Sequence, residues 1–386
     1  MLDSLLIKNF RSLENFEVSK LGRVNLIVGK NNSGKSSVLE ALRIYAGNAQ
    51  RPLLEAISLE HDEKIRTRES EILEPDGPLP FQDFFTGRQF PGDDTTLIQI
   101  GSITSEKDML GIQHVLLVET EETVTDEKGE SSVRVRRRPV PKSESPDFIG
   151  EVSHAVLISK GDKIYPPLLL ESVSSRLRSP SFDLGNTIPC SVIPTQFISV
   201  DELADEWDKI ALTEHADIVR QAMRIIAPEF ENLNFVRNEE GRTPYRSTLQ
   251  RSAKVKMSDV SRPVPLNSLG DGMLRVLQLA LKIFSAKGGL LLIDEFENGL
   301  HYSVQEKIWT LLFEMAKKLD IQVFATTHSW DCIESFAKVA VSRQDIDGVL
   351  FRMGRSVRTS DFGKVIATVF EEEALHTITQ RDVEVR

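Results

Sequence analysis

Apolar residues first gather at 4–9 (SLLIKN) and 24–28 (VNLIV), two runs of strand length, the second closed by a glycine. From Ser36 the period changes. Val38, Leu39, Leu42 and Tyr45 fall on one side of a helix, which the spacing predicts over 36–45. Between about 50 and 200 the pattern loosens. Proline and glycine clusters (PDGPLP, FPGDD) separate short strand-like pieces such as TLIQIGSI and QHVLLVET, and an acidic stretch, ETEETVTDEKGE, leads into a basic one, VRVRRRPVPK. Helical spacing returns over 201–227, as two segments, and is followed by the polar, basic RTPYRSTLQRSAKVKM. The last third is the most regular: a helix at 272–286, a strand at 289–293, a helix at 303–318 and a strand at 321–326. Strands alternating with helices predict a mostly parallel sheet, so the chain reads as one α/β core split by a large, less regular insertion. No repeat period appears, and no sustained heptads that would make the insertion a coiled-coil arm.

These elements suggest four stretches. Residues 1–48 form the first part of the core, 49–200 an irregular β-rich insertion, 201–260 a helical and basic segment, and 261–386 the second part of the core. Hydrophobic content of 40% and charged content of 27% are those of a globular protein. The net charge of −11 argues against a protein built to coat nucleic acid, so any DNA contact has to come from a local patch. Two such patches stand out: Arg134, Arg136, Arg137, Arg138 and Lys142, and Arg246, Arg251, Lys254 and Lys256. The prolines and the acidic lead-in around the first suggest a solvated hairpin as readily as a DNA grip. Cys190 and Cys332 are far apart and in no metal-ligand spacing, as expected in a reducing compartment. No apolar run reaches the roughly 18 residues of a membrane span, and the N-terminus lacks the basic start and apolar core of a signal peptide. A cytoplasmic location with no membrane partner is the expectation.

Four short segments carry the candidate chemistry. VGKNNSGKSS matches G-x-x-x-x-G-K-S at Gly29, Gly34, Lys35 and Ser36, with Asn31, Asn32 and Ser33 inside the loop and Ser37 after it. Such a loop between a strand and a helix wraps backbone N–H groups and a helix N-terminus around phosphates. Lys35 can reach the β- and γ-phosphates, and the Ser36 hydroxyl can ligate Mg²⁺. LLLIDEFENGLH is a buried-strand run ending in two acids. There Asp294 can hold Mg²⁺, and Glu295 can polarise a water for attack on the γ-phosphate. ATTHSWD follows another apolar strand and places His328 at its end, near Asp294. In PLNSLGDGMLRVLQLAL, Ser268, Gly270 and Gly272 precede a helix whose first N–H groups are free to bind an anion. A chain already equipped with a phosphate loop has no use for a second anion site in the same pocket, but could close it over the γ-phosphate of another subunit's ATP. Taken alone, this stretch is also an ordinary helix start, with Asp271 as a capping residue.

In order and spacing, this set resembles the ABC-type ATPases of the SMC, RecF and OLD (overcoming lysogenization defect) group. Walker A lies at 29–36, the signature at 268–272, Walker B at 290–295, a D-loop-like ENGLH at 297–301 and a switch histidine at 328. IKNFRSLENFEV looks like the group's first hairpin, where the arginine, here Arg11, lies near the nucleotide. SLGDGMLRVL, LLIDEFENGLH and QVFATTHSWDCI look most like the compact OLD-like members; the match covers about 1–46 and 262–335 well and the middle loosely. The resemblance implies a P-loop NTPase fold of the ABC-head type, with a mostly parallel core sheet, an N-terminal antiparallel part and a large insertion between Walker A and signature. It also implies a homodimer or higher homo-oligomer closed around two ATP and Mg²⁺, each nucleotide lying between the Walker motifs of one head and Ser268–Gly272 of the other. The Toprim nuclease domain usual in OLD proteins does not fit in the residues after 335, so no nuclease activity is expected in this chain. Two uses follow: a defence ATPase controlling a separately encoded effector, plausibly a Toprim-type nuclease, or a RecF-like clamp on duplex DNA. Gln82, Gln99 and Gln196 all compete for the Q-loop position.

Overall fold

The structure is a computed structural model, and it describes residues 1–61, 80–125, 131–143, 152–170, 187–237, 251–370 and 375. Among these, two large sheets share one set of helices. The parallel sheet contains β3 (Val24–Gly29), β10 (Cys190–Ile193), β14 (Leu290–Ile293), β15 (Gln322–Thr327), β16 (Gly348–Arg355) and β17 (Val365–Phe370), in the order β10-β14-β15-β3-β16-β17. All neighbours pair in parallel except the antiparallel edge strand β17. Both faces of this sheet are covered, which is why its strands read as unbroken apolar runs. Leu291 and Ile293 of β14, with Val323 and Ala325 of β15, face one core; Leu290, Leu292 and Phe324 face the other.

The first core is closed by α3 (Val200–Ile210), α4 (His215–Ile226), α5 (Asp271–Ser285), α6 (Tyr302–Lys318) and α7 (Trp330–Ser342). Phe296 and Trp309 stack there at 3.8 Å between ring centroids. A small sheet of β11 (Phe230–Arg237), β12 (Arg251–Met257) and β13 (Val264–Pro265) packs on the same side. The second core lies against α1 (Lys35–Ala46) and α2 (Arg51–Glu60) and is covered by an antiparallel sheet. Its strands are β1 (Leu5–Phe10), β2 (Leu13–Val18), β4 (Leu97–Gly101), β5 (Leu110–Thr125), β6 (Ser131–Val140), β7 (Val152–Lys160), β8 (Lys163–Ile164) and β9 (Leu168–Leu169).

The α/β class with a mostly parallel core and an N-terminal antiparallel part is as the sequence implied. The stretch 49–200 divides differently from its reading as one insertion. β4 pairs with β1, Leu6 opposite Gly101, so β4 to β9 extend the N-terminal hairpin into one sheet. Cys190–Ile193 is the edge strand of the parallel sheet, in register with Leu290–Ile293. The two strands are short and far apart in sequence, so nothing local in CSVI announces its partner.

Candidate functional site

The site lies where β3, β14 and β15 end, at the carboxyl edge of the parallel sheet, which is where open α/β sheets place their ligands. The loop after β3 turns back sharply. Gly34 has φ 93 and Asn32 φ 60, both left-handed. A Cβ on Gly29 would stand 2.6 Å from the Met353 carbonyl oxygen and 2.8 Å from Ser33 Oγ, so only glycine fits. Asn31, Asn32 and Ser36 are exposed, Ser37 is half-buried, and the Ser33 hydroxyl is buried without a protein partner. The Lys35 ammonium folds back and donates to Gly29 O at 2.8 Å and Lys30 O at 3.1 Å. Burial pulls its pKa down, against the opposing pull of Asp294, Glu295 and Glu297.

β14 delivers Asp294 and Glu295. Asp294 Oδ2 accepts from Ser36 Oγ at 3.4 Å and from Thr195 Oγ1 at 3.1 Å, and Oδ1 accepts from Thr326 Oγ1 at 2.6 Å. The Walker A serine and Walker B aspartate are therefore brought together from residues far apart in sequence. Glu295 has φ 48, left-handed for a residue with a side chain. Its N–H donates to Thr326 Oγ1 at 2.9 Å, and its carbonyl accepts from Arg275 Nη2 at 2.8 Å. β15 delivers His328, half-exposed, with Nδ1 3.3 Å from Glu297 Oε1 and 3.8 Å from Glu295 Oε1. Glu297 is itself fixed by Thr327 Oγ1 at 2.7 Å and His328 N at 3.0 Å.

The bare start of α5 has two local causes. Gly270 has φ 89 and opens onto free space. A Cβ on Gly272 would lie 3.0 Å from the Gly299 carbonyl oxygen, so the first turn of α5 packs tightly on the 297–301 turn. Ser268 is exposed and donates to Pro265 O at 2.6 Å. Arg11 is taken up inside the protein: its Nε is 2.6 Å from Glu40 Oε2 on α1, and its guanidinium lies over the Phe84 ring at 5.2 Å.

Sequence reading passed over four residues that build this edge, Thr195, Thr326, Thr327 and Arg275, and gave Glu297 only as the start of the D-loop-like ENGLH. The one sequence signal that could have marked any of them is the lone arginine amid apolar neighbours in MLRVLQLAL. Among the three glutamines, Gln196 is exposed next to Thr195 at the site, whereas Gln99 sits in β4 opposite Lys8 and Gln82 in the short helical turn Phe81–Phe84. The basic runs are largely occupied. Arg251 is bonded to Asp205 at 3.0 Å and Asp208 at 2.8 Å, Arg137 to Glu119 at 2.7 Å, and Lys142 to the carbonyls of Pro91 and Asp93. The β5–β6 register sets Glu122 opposite Arg134. Arg246 lies outside the described residues.

A profile of the family described as "AAA domain, putative AbiEii toxin, Type IV TA system" matches residues 124–331. The chain belongs to this family. A second profile, "AAA ATPase domain", matches residues 1–133 and with it the phosphate loop. A Helicobacter pylori protein named ATP/GTP phosphatase is 25% identical over 356 residues, 88% of each chain. The DNA replication and repair protein RecF of Erwinia tasmaniensis is 40% identical over 79 residues, 18% of this chain and 22% of that one. Among solved structures, the SmcHead bound to the C-winged helix domain of ScpA aligns with a TM-score of 0.47 and 14% identity, over 97% of this chain and 99% of that one. Together the two profiles mark this chain as an AAA-type ATPase. Among its described residues, no helix is long and apolar enough to cross a membrane.

Proposed function

We propose that the protein hydrolyses ATP at a site completed by a second copy of itself, and that it thereby controls a separately encoded effector as a compact OLD-like regulatory ATPase. The observation that carries the hydrolytic part is the convergence of Lys35, Ser36, Asp294, Glu295 and His328 at the ends of three adjacent parallel strands. The phosphate loop is shaped for an anion: Gly29 leaves no room for a side chain, and the Lys35 ammonium donates to the carbonyls of Gly29 and Lys30 in its own loop. Ser36 Oγ and Asp294 Oδ2 present the hard oxygen donors that Mg²⁺ prefers, so the residues fit that ion. Bound there, Mg²⁺ would neutralise charge on the phosphates.

In this reading Lys35 and the loop N–H groups orient the phosphates, and Glu295 accepts a proton from the attacking water. His328, between Glu295 and Glu297, steadies the carboxylate and the γ-phosphate. Gln196, beside Thr195, is the best-placed Q-loop residue. Exposed Ser268 and Gly270, with half-buried Gly272, are the anion-binding edge offered to the partner copy, and the absence of bulk at Gly270 favours that approach. The family description, "AAA domain, putative AbiEii toxin, Type IV TA system", is compatible with a defence role, and the separate effector draws on the OLD resemblance alone. The DNA-clamp reading has less support, because Arg137, Arg251 and Lys142 of the basic runs already have acidic or carbonyl partners.

The test is the native mass of Glu295→Gln protein, tagged in its own genomic context and purified with ATP and Mg²⁺. Dimers carrying a second, stoichiometric protein support the proposal. Dimers carrying nucleic acid and no protein favour the clamp, and monomers refute the shared site. Lys35→Ala should lose nucleotide binding, whereas Ser268→Arg should bind nucleotide and not turn over.

A further inference from the structure

Helix α5 is apolar where it enters the core: Met273, Val276, Leu277, Ala280 and Leu281 are all buried. Arg275 stands among them at 0% exposure. A buried guanidinium is costly unless its N–H groups are matched, and the usual match is a carboxylate. Arg275 instead spends its fork on main-chain carbonyls: Nη1 donates to Pro194 O at 2.7 Å, and Nη2 to Asp294 O at 2.7 Å and Glu295 O at 2.8 Å.

These carbonyls share one position in the fold. The last backbone bond between the ends of β10 and β14 runs from Asp294 N to Ile193 O, so Pro194, Asp294 and Glu295 lie just where the ladder ends. Carbonyls that have run out of strand partners need donors from elsewhere. Glu295 needs more, because its backbone is left-handed, a conformation that persists in a residue with a side chain only when the surroundings hold it. Here both ends of the residue are held: its N–H by Thr326 Oγ1, and its carbonyl by Arg275 Nη2 at 2.8 Å together with the Asn298 N–H at 3.0 Å. The same helix begins one turn earlier at Asp271, with Gly272 packed against the Gly299 carbonyl, and is preceded by the exposed Ser268.

We propose that Arg275 is a positioning residue whose guanidinium keeps Glu295 in its left-handed conformation, so that the aim of the Glu295 carboxylate follows the position of the helix that starts beside Ser268–Gly272. This rests on Glu295 being the base for ATP hydrolysis. It adds that what touches the start of α5 is felt at Glu295 of the same chain, through hydrogen bonds to the peptide backbone rather than through the nucleotide. Arg275 touches no reacting atom. Lysine keeps the charge but cannot span three carbonyls with a rigid fork.

The experiment compares wild type, Arg275→Lys, Arg275→Gln, Glu295→Gln and the double variant Arg275→Lys/Glu295→Gln. Steady-state ATPase kinetics, binding of a fluorescent ATP analogue and thermal melting are measured on each. Expected is a kcat loss of about tenfold or more for Arg275→Lys, with KM and analogue affinity within about threefold of wild type. The double variant should turn over within about twofold of Glu295→Gln alone, because a misplaced glutamate and an absent one fail at the same step. Arg275→Gln should lose at least as much as Arg275→Lys; if it does not fold, the lysine variant and the double variant decide alone. Near-wild-type kcat in Arg275→Lys, alongside a strong loss in Glu295→Gln, overturns the positioning role. So do losses that multiply in the double variant, which mark a structural effect independent of Glu295. Wild-type turnover in Glu295→Gln would instead refute the choice of base, and the positioning role with it.

Discussion

Thr326→Val isolates one hydroxyl on which both Walker B acids depend. Thr326 is fully buried; its Oγ1 donates to Asp294 Oδ1 at 2.6 Å and accepts from Glu295 N at 2.9 Å. Valine replaces the hydroxyl with a methyl of similar size, so little cavity or overpacking is created. What is lost is a hydrogen bond to a charged group, about 1.5–3 kcal/mol, together with the partner of a buried N–H, about 1–3 kcal/mol if left unsatisfied. The sum is about 4 kcal/mol. Thr326→Ser keeps the hydroxyl and loses one buried methyl, about 1 kcal/mol. Equilibrium urea unfolding of the two variants and wild type gives the comparison, with unchanged m-values confirming that the folded and unfolded states are otherwise alike. Valine should fall below serine by about 3 kcal/mol. A valine variant within 1 kcal/mol of the serine variant would refute the claim that this hydroxyl holds the end of β14, since intrinsic strand preference spans only about 1 kcal/mol.

Three further outcomes follow from other parts of the molecule. His114 is buried, stacked on Phe90 at 3.8 Å and 2.9 Å from His154 Nδ1, and burial, helped by Lys142 and His154 and opposed by Asp94, pushes its pKa down to about 4. The unfolded chain takes up the proton first. The resulting stability is whole above pH 6.5 and drains away toward pH 4, by about 3 kcal/mol relative to His114→Gln in paired unfolding curves, and a pH-independent difference would contradict this. Gly289→Ala would set a Cβ 1.9 Å from the Pro189 carbonyl oxygen, which starts the β10–β14 register, so it should cost more than about 2 kcal/mol. Gly288→Ala meets no neighbouring atom and only strains φ 74, so its melting point should lie above that of the Gly289 variant. Burial raises the Cys190 thiol to about 12 and pushes Cys332 well up, so a disulfide-exchange reagent at pH 8 should titrate neither until denaturant is added.

The elements nearest the chemistry were the most legible, because a buried parallel strand and an amphipathic helix both write strong local patterns. VNLIV, GLLLI and IQVFAT fall on β3, β14 and β15, and the predicted helix at 272–286 falls on α5. Pairing between distant segments was not legible. CSVI carries no mark of its place beside LLLI, and TLIQIGSI none of its place beside LLIKN. The site shows the same divide. Lys35, Asp294 and His328 announce themselves by motif, but Thr195 and Thr326 are ordinary threonines until the strands are assembled around Asp294. The surroundings of the basic runs were hidden for a related reason. Charge in a linear stretch says nothing about the acids that the fold sets opposite, as Asp205 and Asp208 are set beside Arg251.

The strand order also bears on how the protein is made. β3 carries the phosphate loop at its end and belongs to the first 29 residues, but the strands on either side of it begin at Gln322 and Gly348. Even Leu2 is bonded through its N–H to the side chain of Gln322. A nascent chain emerges N-terminus first, so the loop is synthesised long before anything exists to clamp its strand. β3 must wait for β15 and β16, roughly 300 residues later in sequence, and such long-range pairing is slow. Nucleotide binding therefore reports that translation has passed β15 and β16, and a chain halted before β15 carries the full motif without a working pocket.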